Sequence, residues 1–295
     1  MVSEKAGGRH AGPGAWRPYR RIRGSTVVGD LRVLHGVASP ELGTTRDILV
    51  HLPAGALASG RRYPVLYMHD GQNLFDAATS FAGEWRVDET LADLMSEGLE
   101  LIVVGIPNAG DRRGDEYTPY RGRGEDGSEG GDGRAYMRFV VETVKPLVDA
   151  AFPTLTDRGA TGIMGSSDGA LISLWATVEH GATFGLVGAM SAEVAGGQAR
   201  MLGRLRRLAI LPERVYIDVG GLEGSPRSPD PDERRWAAAY PRDALRIRDA
   251  LLSAGMREPD QLRFVFDPVG RHREADWARR LPDALRFLFG ATSPR

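Results

Sequence analysis

Gly165-Ser166-Ser167-Asp168-Gly169 fits the spacing G-x-S-x-G, and its setting gives the pattern chemical meaning. The apolar run 160–164 precedes it and the helical pattern ALISLWATVEH follows. A serine at the centre of such a strand-turn-helix stands on a tight bend with its hydroxyl exposed, ready to act as a nucleophile. The glycines two positions to either side permit the bend, because bulkier side chains would collide there. The chain has no cysteine, which removes thiolate nucleophiles, disulfides, iron–sulfur clusters and thiolate-bound zinc together. Covalent catalysis, if present, must use a nucleophile other than cysteine, and Ser167 is the candidate.

A nucleophilic serine needs a base, and the base needs an acid to orient it. Where this elbow occurs, the partners follow in the chain order serine, acid, histidine. Of the six histidines only His180 and His272 lie beyond Ser167. His180 ends the helix that starts beside the serine, about 20 Å away at 1.5 Å per residue, and cannot reach it. His272 follows the last strand pattern, in the turn PVGRHREADW, and is the expected base. Two carboxylates lie in or just past the strand pattern 214–220, Asp218 and Glu223. Glu223 is preferred, because Gly220 and Gly221 let the chain leave the sheet and aim a side chain sideways; Asp218, fixed by the pleat, is the alternative. The developing oxyanion needs two N–H donors: that of Asp168, after the nucleophile, and one from the loop His69-Asp70-Gly71-Gln72-Asn73, where Gln72 is expected.

The elements that must position these groups are legible as alternating patterns. Strands are expected at 26–35, 46–52, 64–70, 101–107, 160–165, 185–190, 214–220 and 261–267. PVLYMHD, LIVVGIP and VYIDVG are nearly continuous apolar runs, as in strands buried on both faces of a parallel sheet. Helical patterns fall at 87–95, 134–150, 170–179, 198–208, 235–254 and 274–288. The alternation predicts an α/β fold, a mostly parallel sheet with helices on both faces. The first two strands have no helix between them, so that end is antiparallel. Residues 1–22, rich in Gly, Arg and Pro, are expected to form a flexible tail, and 23–295 a single domain. Residues 108–133 read as a long polar loop inserted at a strand's C-terminal end, where open sheets bind ligands.

Composition narrows the partners. With 295 residues, Lys+Arg 38 against Asp+Glu 39 and a formal charge of -1, nothing attracts nucleic acid. No apolar run approaches a membrane span and no signal-peptide core precedes the domain, so no membrane partner and a cytoplasmic location are expected.

LYMHDGQNLFD, the RR-x-x-EYTP stretch from Arg112, GIMGSSDGALISL, YIDVGGLEG and GRHREADWARRLPDALRFLF together resemble the Putative esterase family of α/β-hydrolases. That family includes enterochelin (siderophore) esterases, S-formylglutathione hydrolases, feruloyl and acetylxylan esterases and mycolyltransferases. The resemblance spans roughly 26–290. It implies the α/β-hydrolase fold, Ser167 as nucleophile, Glu223 as acid, His272 as base and Gln72 as an oxyanion donor. Asp168 departs from the family, many members having an apolar residue there; its carboxylate disfavours anionic substrates.

The expected activity is carboxylic-ester hydrolysis through an acyl-enzyme, on a small-molecule substrate such as a siderophore or carbohydrate ester. Acyl transfer to an alcohol, or ligand binding without turnover, are the alternatives. Asp70, Asn73, Arg112, Arg113 and Tyr117 are candidate pocket residues. Trp85 is placed to stack on a sugar or aromatic acyl group, although packing on the sheet is its expected role. No His, Asp or Glu cluster has metal-ligand spacing, so neither metal nor cofactor is expected.

Overall fold

The computed structural model of the chain describes residues 14–122, 129–194, 196–225 and 228–290. Nine strands among them form one sheet: β1 (Arg17–Pro18), β2 (Asp30–Ser39), β3 (Thr44–Leu52), β4 (Val65–His69), β5 (Ile102–Ile106), β6 (Thr161–Ser166), β7 (Leu186–Met190), β8 (Arg214–Leu222) and β9 (Leu262–Arg271). Their order across the sheet is β1-β2-β3-β5-β4-β6-β7-β8-β9. The pairings β1/β2, β2/β3 and β3/β5 are antiparallel; the remaining five are parallel. The sheet is thus the mostly parallel one of an α/β-hydrolase, with the antiparallel end at the N-terminal side.

The helices are α1 (Val87–Met95), α2 (Arg113–Tyr117), α3 (Gly133–Arg138), α4 (Lys145–Ala151), α5 (Asp168–Glu179), α6 (Arg200–Leu205), α7 (Pro231–Ser253) and α8 (Glu274–Phe289), with a π-helical turn (Phe139–Val144) joining α3 to α4. Strand residues alternate faces, so each buried strand feeds two cores. Val65, Tyr67, Ile163, Val215 and Ile217 pack with Trp175 of α5 and Ile247 of α7. Leu66, Met68, Met164 and Tyr216 pack on the other side with Leu91 of α1 and Leu281 of α8. The apolar runs are continuous because both faces are covered. Among the described residues no helix is long and apolar enough to cross a membrane.

Three expectations change. Of the tail expected over 1–22, residues 1–13 lie outside the described residues, and Arg17–Pro18 pair with β2. Trp16 packs edge-on against Phe152, centroids 4.9 Å apart, and the Tyr19 hydroxyl donates to Asp76 at 2.9 Å, so aromatic anchors replace periodicity. The strand expected from residue 26 starts at Asp30, because the Thr26 and Val28 N–H groups donate to the side chains of Asp76 and Asp88 instead. The polar insertion at 108–133 is not structureless: it contains a 3-10 turn (Gly110–Arg112) and α2, pinned by buried Glu116 on Arg46 at 2.9 Å. Its residues 123–128 lie outside the described residues.

Candidate active site

Ser167 stands between β6 and α5 with φ 56° and ψ −126°, a region L-residues seldom occupy and in which the surrounding structure holds strain of about 1–3 kcal/mol. Its N–H donates to the Met190 carbonyl, and its own carbonyl accepts from Ala170 and Leu171, all at 3.0 Å. Gly165 is required for space as the bend closes, since a Cβ on it would come within 2.8 Å of the Gly169 backbone, whereas a Cβ on Gly169 would meet Asp70 and His69 only at 3.4 Å.

β9 runs to Arg271 and delivers His272 at the end of the sheet. Its Nδ1 lies 2.8 Å from Glu223 Oε2. The other oxygen of Glu223 accepts from the Ser191 hydroxyl at 2.6 Å and from the Gly220 N–H. Asp218 faces elsewhere. Buried within β8, it is held by both arms of Arg280 at 2.9 and 3.1 Å. Burial pushes its carboxyl up to about 6, with Arg280 pulling the other way.

The chain does not leave the sheet at Gly220, as the expected turn required; β8 continues to Leu222 through an irregularity in its register with β9. Both glycines serve close approach. A Cβ on Gly220 would meet the Gly270 carbonyl oxygen at 2.2 Å, and one on Gly221 the Pro268 oxygen at 2.8 Å.

Two aromatic rings flank His272: Tyr240 of α7 at 4.7 Å between centroids and Trp277 of α8, edge-on at 4.9 Å. The Tyr240 hydroxyl shares a hydrogen bond with the Ser167 side chain, and burial raises its phenol well above the usual range. One tyrosine therefore touches both the serine and the histidine. The Trp277 indole N–H donates to Ser191 at 2.9 Å, making Ser191 the link between that ring and Glu223.

Opposite lies the loop after β4. Asp70 takes the left-handed conformation, φ 54° and ψ 44°, and Gly71 follows where a Cβ would stand 2.6 Å from the backbone of Gly105. Gln72 lies in the next 3-10 turn (Gly71–Asn73), its Oε1 accepting from the Asn108 N–H at 3.1 Å. Asp168 supplies the first N–H of α5, at that helix's positive end. Arg113 ties the two sides together, with Nε 2.8 Å from Asp70 Oδ1 and Nη1 2.7 Å from Asp168 Oδ2. Burial alone would raise the Asp70 carboxyl; Arg113 and Asn108 more than reverse this and hold it below the usual range.

The model of a family described as "Putative esterase" matches residues 39–288. The chain belongs to this esterase family. With membership comes its class, the serine esterases that hydrolyse carboxylic esters. The Bacillus subtilis protein YbbA, itself uncharacterised, is 23% identical over 260 residues, 87% of this chain and 98% of that one. Among solved structures, the siderophore hydrolase EstA from Aspergillus nidulans superposes with a TM-score of 0.69 at 19% identity, covering 89% of this chain and 95% of its own. A ferulic acid esterase from Anaeromyces mucronatus, solved with ferulic acid, gives 0.63 at 18%, covering 92% and 94%.

The esterase does not bring every expected pocket residue to the cleft. Trp85 is only 3% exposed and packs on Trp277 with centroids 5.7 Å apart, so it is core. Tyr117 is fully buried, its hydroxyl accepting from the Asp70 N–H at 3.1 Å. Buried Asn73 accepts from the Phe81 N–H at 3.0 Å and donates to Glu274 at 3.3 Å, which makes it a loop fastener. Arg112 is exposed and paired with Asp132 at 2.8 Å. Asp70 and Arg113 hold each other, and Arg113 also offsets the charge of Asp168 beside Ser167. Three residues beside Glu223, His272 and Ser167 were not foreseen: Ser191, Tyr240 and Arg280. Asp218 inside an apolar strand could have pointed to a buried partner; nothing distinguished Arg280 among so many arginines.

Proposed function

We propose that this esterase works through an acyl-enzyme on Ser167, with His272 as general base and Glu223 as the acid that orients it. The observation that carries this reading is the 2.8 Å contact between His272 Nδ1 and Glu223 Oε2, beside a tyrosine that touches both His272 and Ser167. A carboxylate on Nδ1 holds the proton there and leaves Nε2 basic. Ser167 Oγ attacks the ester carbonyl carbon while His272 takes its proton, and the carbonyl electron pair moves onto oxygen. Collapse of the tetrahedral intermediate expels the alcohol, which receives that proton. Water then repeats the sequence and releases the acid. The Gln72 and Asp168 N–H groups are the proposed oxyanion donors.

The substrate is a small-molecule carboxylic ester. The structural relatives named as siderophore hydrolases and ferulic acid esterases make siderophore and carbohydrate esters the first to test. Two carboxylates to one guanidinium at the nucleophile favour neutral over anionic acyl groups. A serine-directed phosphonate should add its mass to the peptide containing Ser167 and abolish hydrolysis of p-nitrophenyl acetate, and Ser167→Ala should be inactive yet folded. Labelling at Ser166, or a turnover-competent Ser167→Ala, would remove the assignment.

A further inference from the structure

Outside the catalytic cleft, the start of α1 brings three carboxylates together. Glu84, Asp88 and Glu89 each offer an oxygen, and these lie within 4.8 Å of one another. The left-handed residue Arg86, φ 54°, folds Glu84 back onto the first helical turn, a juxtaposition that spacing along the chain does not announce. Asp88 is fully buried. Its Oδ2 accepts from the Val28 N–H at 2.7 Å, but its Oδ1 and the Glu89 Oε2 are buried with no hydrogen-bond partner. Glu84 Oε1 accepts from the Thr26 hydroxyl at 2.8 Å, and Glu89 Oε1 from Arg86 at 3.3 Å. A buried carboxylate oxygen without a donor is unfavourable unless something positive, an ion or a proton, sits beside it.

We propose that Glu84, Asp88 and Glu89 bind a divalent cation of the calcium type. Ca²⁺ takes about six to eight oxygen ligands in flexible geometry, so three carboxylates completed by water suit it. Mg²⁺ demands a near-ideal octahedron and gives up its waters reluctantly, so it is less suited to a site of three protein carboxylates. Fully ionised, three carboxylates against Arg86 leave two negative charges, so a divalent cation that displaces the Asp88 proton would be balanced. The ion's role is structural. Trp85 lies between the ligands, its N–H donating to the Asn73 carbonyl at 2.8 Å, and the Val87 N–H donates to Leu74 at 3.0 Å. Binding would therefore fasten the segment around Thr26–Val28 and the start of α1 to the loop that carries Gln72. A proton shared by Asp88 and Glu89 is the competing occupant, since burial pushes Asp88 up to about 8.

The test uses the full chain stripped of metal with a chelator and then freed of it. Calorimetric titration with CaCl₂ should give one site per chain, and saturating Ca²⁺ should raise Tm by at least about 2 °C, with MgCl₂ weaker. Glu84→Gln and Glu89→Gln, both at partly exposed positions and checked for folding by circular dichroism, should lose the shift. Absence of heat and shift in the wild type overturns the proposal, as does a shift that survives in both variants. An Asp88→Asn chain that is more stable than a wild type insensitive to Ca²⁺ would assign the cluster to a shared proton.

Discussion

Asp218 and Glu223 differ by five positions in sequence and by role in the structure, and one pair of isosteric substitutions separates them. Asp218→Asn removes the charge that both arms of Arg280 hold, leaving a guanidinium that is 5% exposed. Breaking a buried pair on one side costs about 3–5 kcal/mol. Asp267 still reaches Arg280 at 3.2 Å, so the lower end applies, a fall in Tm of about 6–12 °C. The kinetic effect should be small, because Asp218 touches neither His272 nor Ser167. Glu223→Gln keeps volume and an acceptor for Ser191 and Gly220, so Tm should hardly move. Its amide, however, cannot hold the Nδ1 proton or stabilise an imidazolium, and kcat should drop by about 10³–10⁴-fold. The assay is kcat on p-nitrophenyl acetate beside a thermal melt of each variant. A Glu223→Gln chain retaining more than a tenth of kcat, or an Asp218→Asn chain that melts normally but has lost turnover, would refute the reasoning.

Arg113→Met should lower kcat on small neutral esters by up to about 100-fold with KM little changed, since it unfastens the two loops proposed to carry the oxyanion donors; a pure KM effect would make Arg113 a substrate contact instead. Burial holds His69 neutral, lowered to about 3, whereas the unfolded chain binds a proton there near pH 6.5. The stability this residue confers is therefore complete above pH 6.5 and declines as pH falls toward 3, by about 2 kcal/mol between pH 7 and 5. Asp218, held up near 6, titrates with the opposite sign. The quantity to measure by urea unfolding is accordingly the difference between wild type and His69→Gln, which should shrink by that amount; a difference constant with pH rejects the claim.

The strands were legible because burial on both faces makes PVLYMHD, LIVVGIP and VYIDVG apolar without a break, and helical patterns lay between them. The short strand Arg17–Pro18 was not. Two residues carry no period, and what holds them is Trp16 and Tyr19 finding partners at Phe152 and Asp76, far along the chain. The elbow was legible for the opposite reason, since all its requirements are local: two glycines, one serine, a strand before and a helix after.

The contact between Glu223 and His272 shows how a local argument and a structural one can reach the same pair by different physics. Flexible glycine dihedrals were expected to carry Glu223 out of the sheet, yet neither Gly220 nor Gly221 has a positive φ. Both are glycine because β8 and β9 approach so closely that a Cβ would strike the Gly270 and Pro268 carbonyls. That close approach extends the pairing to Leu222 and Arg271, so the next residues, Glu223 and His272, emerge side by side from two parallel strands. The register of the strand pair, more than the freedom of the turn, sets their 2.8 Å separation. Ser191 then fixes the carboxylate from β7 and Trp277 braces the imidazole from α8. Such register is a property of two segments about fifty residues apart, which is why the residue types could suggest the pair and only the fold could explain it.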